Sequence, residues 1–226
     1  MTISEYELIN PEPATQITLQ ALEEECQAYQ EDDASTAYDA YYAPASRLVF
    51  YGAQHDLWDS ICGGVCLLVY AWNAPFYRSP FSYTSFEANL RTEWNTLIEF
   101  RLRPLVSLNS DDHQHIQRVF ESLTIALSSG GRRAQVSAAK ALHIVAPTFF
   151  PMWDHAIAYD GYNCPYGKEP GLAYVAFCRR IQIRVRSLQA DWDSLPNTHW
   201  LRAKPLLKRI DEFNFMRKPP RTERKK

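Results

Sequence analysis

The sequence has little of what metal-bound, secreted or membrane-embedded chains depend on. Its five cysteines, Cys26, Cys62, Cys66, Cys164 and Cys178, are odd in number and scattered, with no CxxC pair and no cysteine–histidine spacing of the zinc type. Disulfide scaffolds and zinc modules are therefore excluded as readings, no metal or cofactor is expected, and a reducing compartment is favoured. No run reaches the roughly 18 apolar residues of a membrane span. The longest apolar stretch, ICGGVCLLVYAW (61–72), reads as a buried helix in which Cys62 and Cys66 fill core. The start, MTISEYELINPEPATQ, lacks a basic segment ahead of an apolar one, which predicts no secretion signal and an intracellular protein, cytoplasmic, nucleoid-associated or nuclear. No stretch alternates as a strand except SRLVFYG (46–52), and no segment repeats.

What is present is core material and helix signals. The chain has 226 residues, 46% of them apolar and 13% aromatic, enough to fill one substantial core. QITLQALEEECQAYQ (16–30), HDLWDSICGGVCLLVYAWN (55–73), SFEANLRTEWNTLIEFRL (85–102) and DDHQHIQRVFESLTIALSS (111–129) carry helical periodicity with plausible caps, Ser85 or Thr84 for the third. EDDASTAYDA interrupts after the first of these. Further helices follow in RRAQVSAAKALHIVAP, GLAYVAFCRRIQIRVRSLQADW and THWLRAKPLLKRIDEFNFM, the last bent or broken at Pro205. The expectation is a single all-α domain over 1–216, followed by a disordered basic tail, RKPPRTERKK (217–226).

Charge is distributed unevenly. Residues 1–100 carry 3 Lys+Arg and 15 Asp+Glu, and residues 101–226 carry 21 and 11, so an excess of −12 faces one of +10 within a net −2. Either the acidic half and the basic half attract each other, or the basic half meets phosphates.

The candidate chemistry lies in SAAKALHIVAPTFFPMWDHAIA (137–158), where Lys140 stands in a nearly uncharged helix and Asp154 follows a proline-broken aromatic elbow. Two isolated opposite charges in apolar surroundings are structural plugs or chemistry. Asp154 in the plain reading caps the helix that follows, accepting from the amides after His155; in the functional one it stabilises positive charge developing on a sugar. Lys140 lies along apolar surface or pairs with a carboxylate such as Asp154, or else acts as an amine nucleophile. His143 and His155 are hydrogen-bonded structural groups or proton carriers. Phe149, Phe150, Trp153, Tyr159, Tyr162 and Tyr166 crowd the elbow, as core or as faces on which a base stacks. Arg132 and Arg133 follow Gly130–Gly131 at a helix start, a place for a phosphate or simply a solvated loop.

The order helix, glycine turn, helix, apolar elbow with proline, aspartate opening the next helix, over roughly residues 111–160, resembles the helix–hairpin–helix DNA glycosylase superfamily, and within it the 8-oxoguanine glycosylase-like branch. The resemblance implies an all-α DNA-binding protein that excises a modified base. LSSGGRR would be the phosphate-binding hairpin, with Gly130, Gly131, Arg132 and Arg133 on DNA. Asp154 and Lys140 would be the catalytic pair, with Trp153, His155 and Phe150 at the base. The two glycines are adjacent where the family hairpin separates them by one residue. The family lysine would fall near Gln135, with Lys140 further along the helix. These departures favour monofunctional excision over lyase chemistry. Three functions thus stay open: a base-excision or base-recognition protein, a non-catalytic helical nucleic-acid binder, and an interaction protein whose acidic half meets a partner.

Overall fold

The computed structural model describes residues 1–11, 17–165, 167 and 169–217. Over those residues the chain is all-α, with ten α-helices and no strand. Local capping starts the first three. Thr2 and Glu5 form a reciprocal capping box at α1 (Ile3–Ile9), Thr18 caps α2 (Leu19–Glu31), and Asp32 caps α3 (Asp33–Asp39). Next come α4 (Tyr42–His55), α5 (Trp58–Trp72) and α6 (Tyr83–Arg101), α6 being capped by Ser82, upstream of the two residues expected from sequence. After α7 (Asp112–Ala126), the Gly130–Gly131 turn leads into α8 (Gln135–Val145). A π-helical turn (Ile157–Gly161) precedes α9 (Pro170–Ser194), and α10 (Leu206–Arg217) begins after Pro205, where the helix was expected to bend or break.

Three helices correct the sequence reading. The first, α1, was not expected. The acidic EDDASTAYDA stretch forms α3, because Asp32 accepts from both the amide and the hydroxyl of Ser35. SRLVFYG is helical within α4: Leu48, Phe50 and Tyr51 are exposed, and Val49 and Gly52 join Tyr42 and Ala45 in a stripe spaced for a buried helix face. That face lies very close to α5. A Cβ at Gly64 would sit 2.7 Å from the Ala45 carbonyl oxygen, and one at Gly52 would sit 2.8 Å from the backbone of Ile61.

Helix α8 is the centre of the molecule. It packs against α4, α5, α6 and α7, and every residue from Ser137 to Val145 is buried. A helix enclosed on all sides needs small residues where neighbours approach, and Ala138, Ala139 and Ala141 provide them. One hydrophobic cluster then runs through the chain from Tyr6 to Phe213. Cys62 belongs to it as expected and Cys66 packs half-buried against it: burial pushes the Cys62 thiol up to about 11 and the Cys66 thiol up to about 12.

The two charged halves pair with each other, mostly at the surface. Glu7 pairs with Arg179 (3.3 Å), Glu93 with Arg118 (3.3 Å), Glu25 with Arg217 (3.7 Å), and Asp39 with Lys208 (3.1 Å) and Lys204. Of the tail expected to be disordered, Arg217 is the last residue of α10; the remainder, like Tyr166, lies outside the described residues. Among the described residues no helix is long and apolar enough to cross a membrane.

Candidate functional site

The first half of the site is set by α8 and the end of α5. Lys140 is 8% exposed; its ammonium donates to Asn73 Oδ1 at 2.9 Å and lies 5.2 Å from the centroid of the Trp72 ring. Asn73, the C-cap of α5, also donates from Nδ2 to Ser137 Oγ at 3.0 Å. One amide thus grips two residues a helical turn apart on α8 and fixes where Lys140 points. Trp72 is held in turn by its indole N–H, which donates to the Tyr38 carbonyl at 2.7 Å.

The second half is the elbow. Phe149 and Phe150 follow the end of α8, and Tyr174 Oη donates to the Pro151 carbonyl at 2.9 Å, tying the turn to α9. Asp154 then accepts the Ala156 amide at 2.8 Å, so the capping role read from sequence is present and holds the carboxylate in place. The helix it opens is short, as expected, and passes into the π-turn Ile157–Gly161.

These halves open into one cavity of about 300 Å³. Lys140 and Asp154 line it together with Asp211 from α10, and Tyr29, Tyr38, Trp72 and Phe215 supply aromatic walls. Asp211 is 14% exposed and faces Lys208 Nζ at 3.4 Å. Burial raises its pKa, Lys208 pulls it down, Glu212 raises it, and Lys140 and Asp154 act in opposite senses from across the cavity; the balance stands at about 6. Its carboxyl can therefore give or take a proton near neutral pH.

Behind Asp211 lies a buried ionic cluster. Lys208 is fully buried, 3.1 Å from Asp39 and 3.1 Å from Glu212, and is surrounded by the rings of Tyr29 (4.8 Å), Trp72 (5.3 Å) and Tyr42 (5.6 Å). Burial disfavours the ammonium, but Asp211, Glu212 and Asp39 outweigh it and hold the pKa above the usual lysine range. Glu212 is also 2.7 Å from Lys204 and 2.8 Å from Arg209. The cluster fixes α10, and with it Asp211, against α3 and α2.

Other expected residues fall elsewhere. Trp153 and Phe150 are corrections: both are buried at 1% exposure or less. Trp153 stacks on Tyr174 (5.4 Å) and Phe120 (5.5 Å), while Phe150 meets Phe100 (5.0 Å) and Phe149 (5.1 Å), so their rings offer no open face to a base. His155 is exposed, 5.6 Å from the Tyr159 ring, and does not line the cavity. His143 is fully buried and structural: Nδ1 meets the Phe150 carbonyl at 2.8 Å and Nε2 the Tyr42 hydroxyl at 2.9 Å.

Gly130 and Gly131 both have positive φ, 56° and 74°, in a tight turn closed by Ser129 and Arg132 pairing in both directions. The Arg132 amide is engaged with Ser129, and its guanidinium bonds the Phe76 carbonyl at 2.8 Å and lies over the Phe76 ring. Arg133 is exposed. The turn and the cavity have no lining residue in common.

Asp211, Asn73 and the ring wall were not found by reading the sequence. Lys208, Asp211 and Glu212 do carry a signal, charges at i, i+3 and i+4 in the apolar LLKRIDEF stretch, which places opposite charges on one helix face. No protein-family model matches this sequence, and neither a curated protein nor a solved structure matches the chain.

Proposed function

We propose that the cavity receives a nucleobase extruded from nucleic acid and that the protein recognises or excises a modified base by cleaving its N-glycosidic bond. The observation that carries this reading is that Lys140 and Asp154, isolated charges on different elements, line one aromatic-walled cavity with a second carboxyl, Asp211. Aromatic walls suit a planar heterocycle, and carboxylates suit the positive charge that develops on the sugar.

In this reading the C1′–N bond breaks with its electron pair leaving on the base nitrogen. Asp154, held by the Ala156 amide, faces the sugar cation and orients water; the water oxygen bonds C1′ and its proton passes to Asp154. Asp211 in its acid form gives a proton to the departing base. Lys140, engaged with Asn73 and Trp72, positions a cation rather than a nucleophile, which favours monofunctional excision.

The test is a panel of single-stranded and duplex oligonucleotides bearing oxidised, alkylated and deaminated bases, assayed at low salt. Release of one base is expected, abolished by Asp154→Asn and retained in Lys140→Gln, with no borohydride-trapped adduct. Because the acid form of Asp211 is the donor, release should fall as pH rises through about 6, and Asp211→Asn should remove that limb. If the protein binds every oligonucleotide and releases no base, excision is overturned and a non-catalytic binder takes its place. That second reading has its own support: Asp154 caps a helix and Lys140 is held by Asn73, roles that need no chemistry.

A further inference from the structure

A second open groove, with a volume of about 860 Å³, reaches Asp39, the last residue of α3. Its floor includes Ile144 and Pro147 at the end of α8, and its wall is the outward face of α4. Arg47, Phe50, Tyr51 and Gln54 line it at i, i+3, i+4 and i+7, one continuous stripe opposite the buried face of that helix. Phe50 and Tyr51 are each 53% exposed, and Arg47 is exposed. From the facing side comes Arg101, whose guanidinium bonds the Val145 carbonyl and lies 5.5 Å from the Phe50 ring centroid.

The charge in this groove is uncompensated. Among the described residues no carboxylate pairs with Arg47 or Arg101, and the one acid in the lining, Asp39, is held by Lys204 and Lys208. Two exposed rings between two arginines, with an amide at one end, form a surface for alternating planar and anionic groups.

From these features we propose that the α4 groove is the track for a single-stranded stretch of nucleic acid, bases stacking on Phe50 and Tyr51 and phosphates meeting Arg47 and Arg101. The inference rests on the nucleic-acid reading of the cavity and extends it. Helix α3 connects the two places: Ser35 and Tyr38 line the cavity, and the next residue, Asp39, lines the groove. A strand in the groove passes the end of α3 and can present one nucleotide to the cavity.

The experiment is fluorescence anisotropy with a fluorescein-labelled oligothymidylate of about 15 nucleotides, within the span such surfaces cover. The unaltered protein is compared with Phe50→Ala/Tyr51→Ala, Arg47→Ala and Arg133→Ala. Each change is at an exposed side chain, and circular dichroism with thermal melting checks that the fold is kept. The ring double variant should bind about tenfold or more weakly with an unchanged salt slope. Arg47→Ala should weaken binding and make the log–log salt dependence shallower by about 0.7, one single-strand phosphate contact. Phe50→Trp should restore what Phe50→Ala loses.

Groove variants that bind as tightly as the unaltered protein overturn the track while leaving the base-excision reading in place. Loss of binding in those variants, with no base released from any substrate in the panel, supports the track and overturns excision. An unaltered protein that does not bind the strand, but sediments as a dimer dissociated by Phe50→Ala/Tyr51→Ala, overturns the track in favour of self-association.

Discussion

His143 shows how one buried side chain makes the whole fold sensitive to acid. In the neutral ring that burial favours, Nδ1–H donates to the Phe150 carbonyl and Nε2 accepts from the Tyr42 hydroxyl. Burial lowers its pKa to about 4, with the Phe150 carbonyl opposing and Lys208 assisting. A histidine depressed in the folded state contributes stability in full above its ordinary value of 6.5, and loses it as pH falls toward 4. At about 1.4 kcal/mol per pH unit the window holds roughly 3 kcal/mol. Asp211 works in the opposite sense, since a carboxyl raised from 3.8 to about 6 makes the fold relatively more stable as pH falls through that range. Urea midpoints of the unaltered protein and His143→Gln, followed from about pH 7 down to about pH 4, separate the two: the variant should lose much of the acid slope. Asp154 gives a second residue-scale test. Asp154→Asn keeps an acceptor for the Ala156 amide and should leave the melting temperature nearly unchanged, whereas Asp154→Ala should cost roughly 1 kcal/mol. Unfolding by Asp154→Asn would mark the carboxylate as part of the structural ionic network.

Among the elements, the α4–α5 contact carries the sharpest expectation. Gly63 and Gly64 are neighbours on α5 with the same chemistry and opposite surroundings. A Cβ at Gly63 meets nothing within 4 Å, so Gly63→Ala should stabilise by about 1 kcal/mol through helix propensity. A Cβ at Gly64 meets the Ala45 carbonyl oxygen and Val49 Cγ2, both at 2.7 Å, so Gly64→Ala must part the helices and should cost roughly 1–3 kcal/mol. Thermal melts of the two variants should shift in opposite directions. The same helix pair explains the failed strand reading at SRLVFYG. Alternation over seven residues fits a strand, but the stripe Tyr42, Ala45, Val49 and Gly52 extends over three turns and matches a helix surface that α5 covers.

For the molecule as a whole, the unequal charge of the two halves is partly consumed in pairs that join them, such as Glu7–Arg179 and Asp39–Lys208. The positive surface left for a polyanion is therefore smaller than the +10 excess of residues 101–226 suggests. At the glycine turn both arginines are exposed, and the Arg132 guanidinium is committed to Phe76. Under the proposed nucleic-acid reading, Arg133→Ala should weaken duplex binding similarly for all sequences and reduce the salt slope by about 1. Arg132→Ala should in addition lower the melting temperature, because it frees the Phe76 carbonyl. An unchanged salt titration in Arg133→Ala would remove the turn from the interface.

Local physics made much of this readable in advance. Helical periodicity, caps, the glycine turn and the break at Pro205 depend on residues within a turn or two of one another, so the all-α class and most helices were present in the sequence pattern. Lys140 and Asp154 stood out for the same reason, as charges whose near neighbours are apolar. Only the tertiary structure decided that both line one cavity, because that depends on α8 and the elbow being held against α10 and α3. It also put Trp153 and Phe150 inside and Tyr29, Tyr38, Trp72 and Phe215 on the cavity wall. An aromatic residue carries no local mark of which neighbour will cover its ring. Asp211 was hidden for a related reason: on its own helix it is one of several charges, and its raised pKa comes from burial first, with Lys140 on α8 and Asp154 on the elbow acting on it from outside that helix.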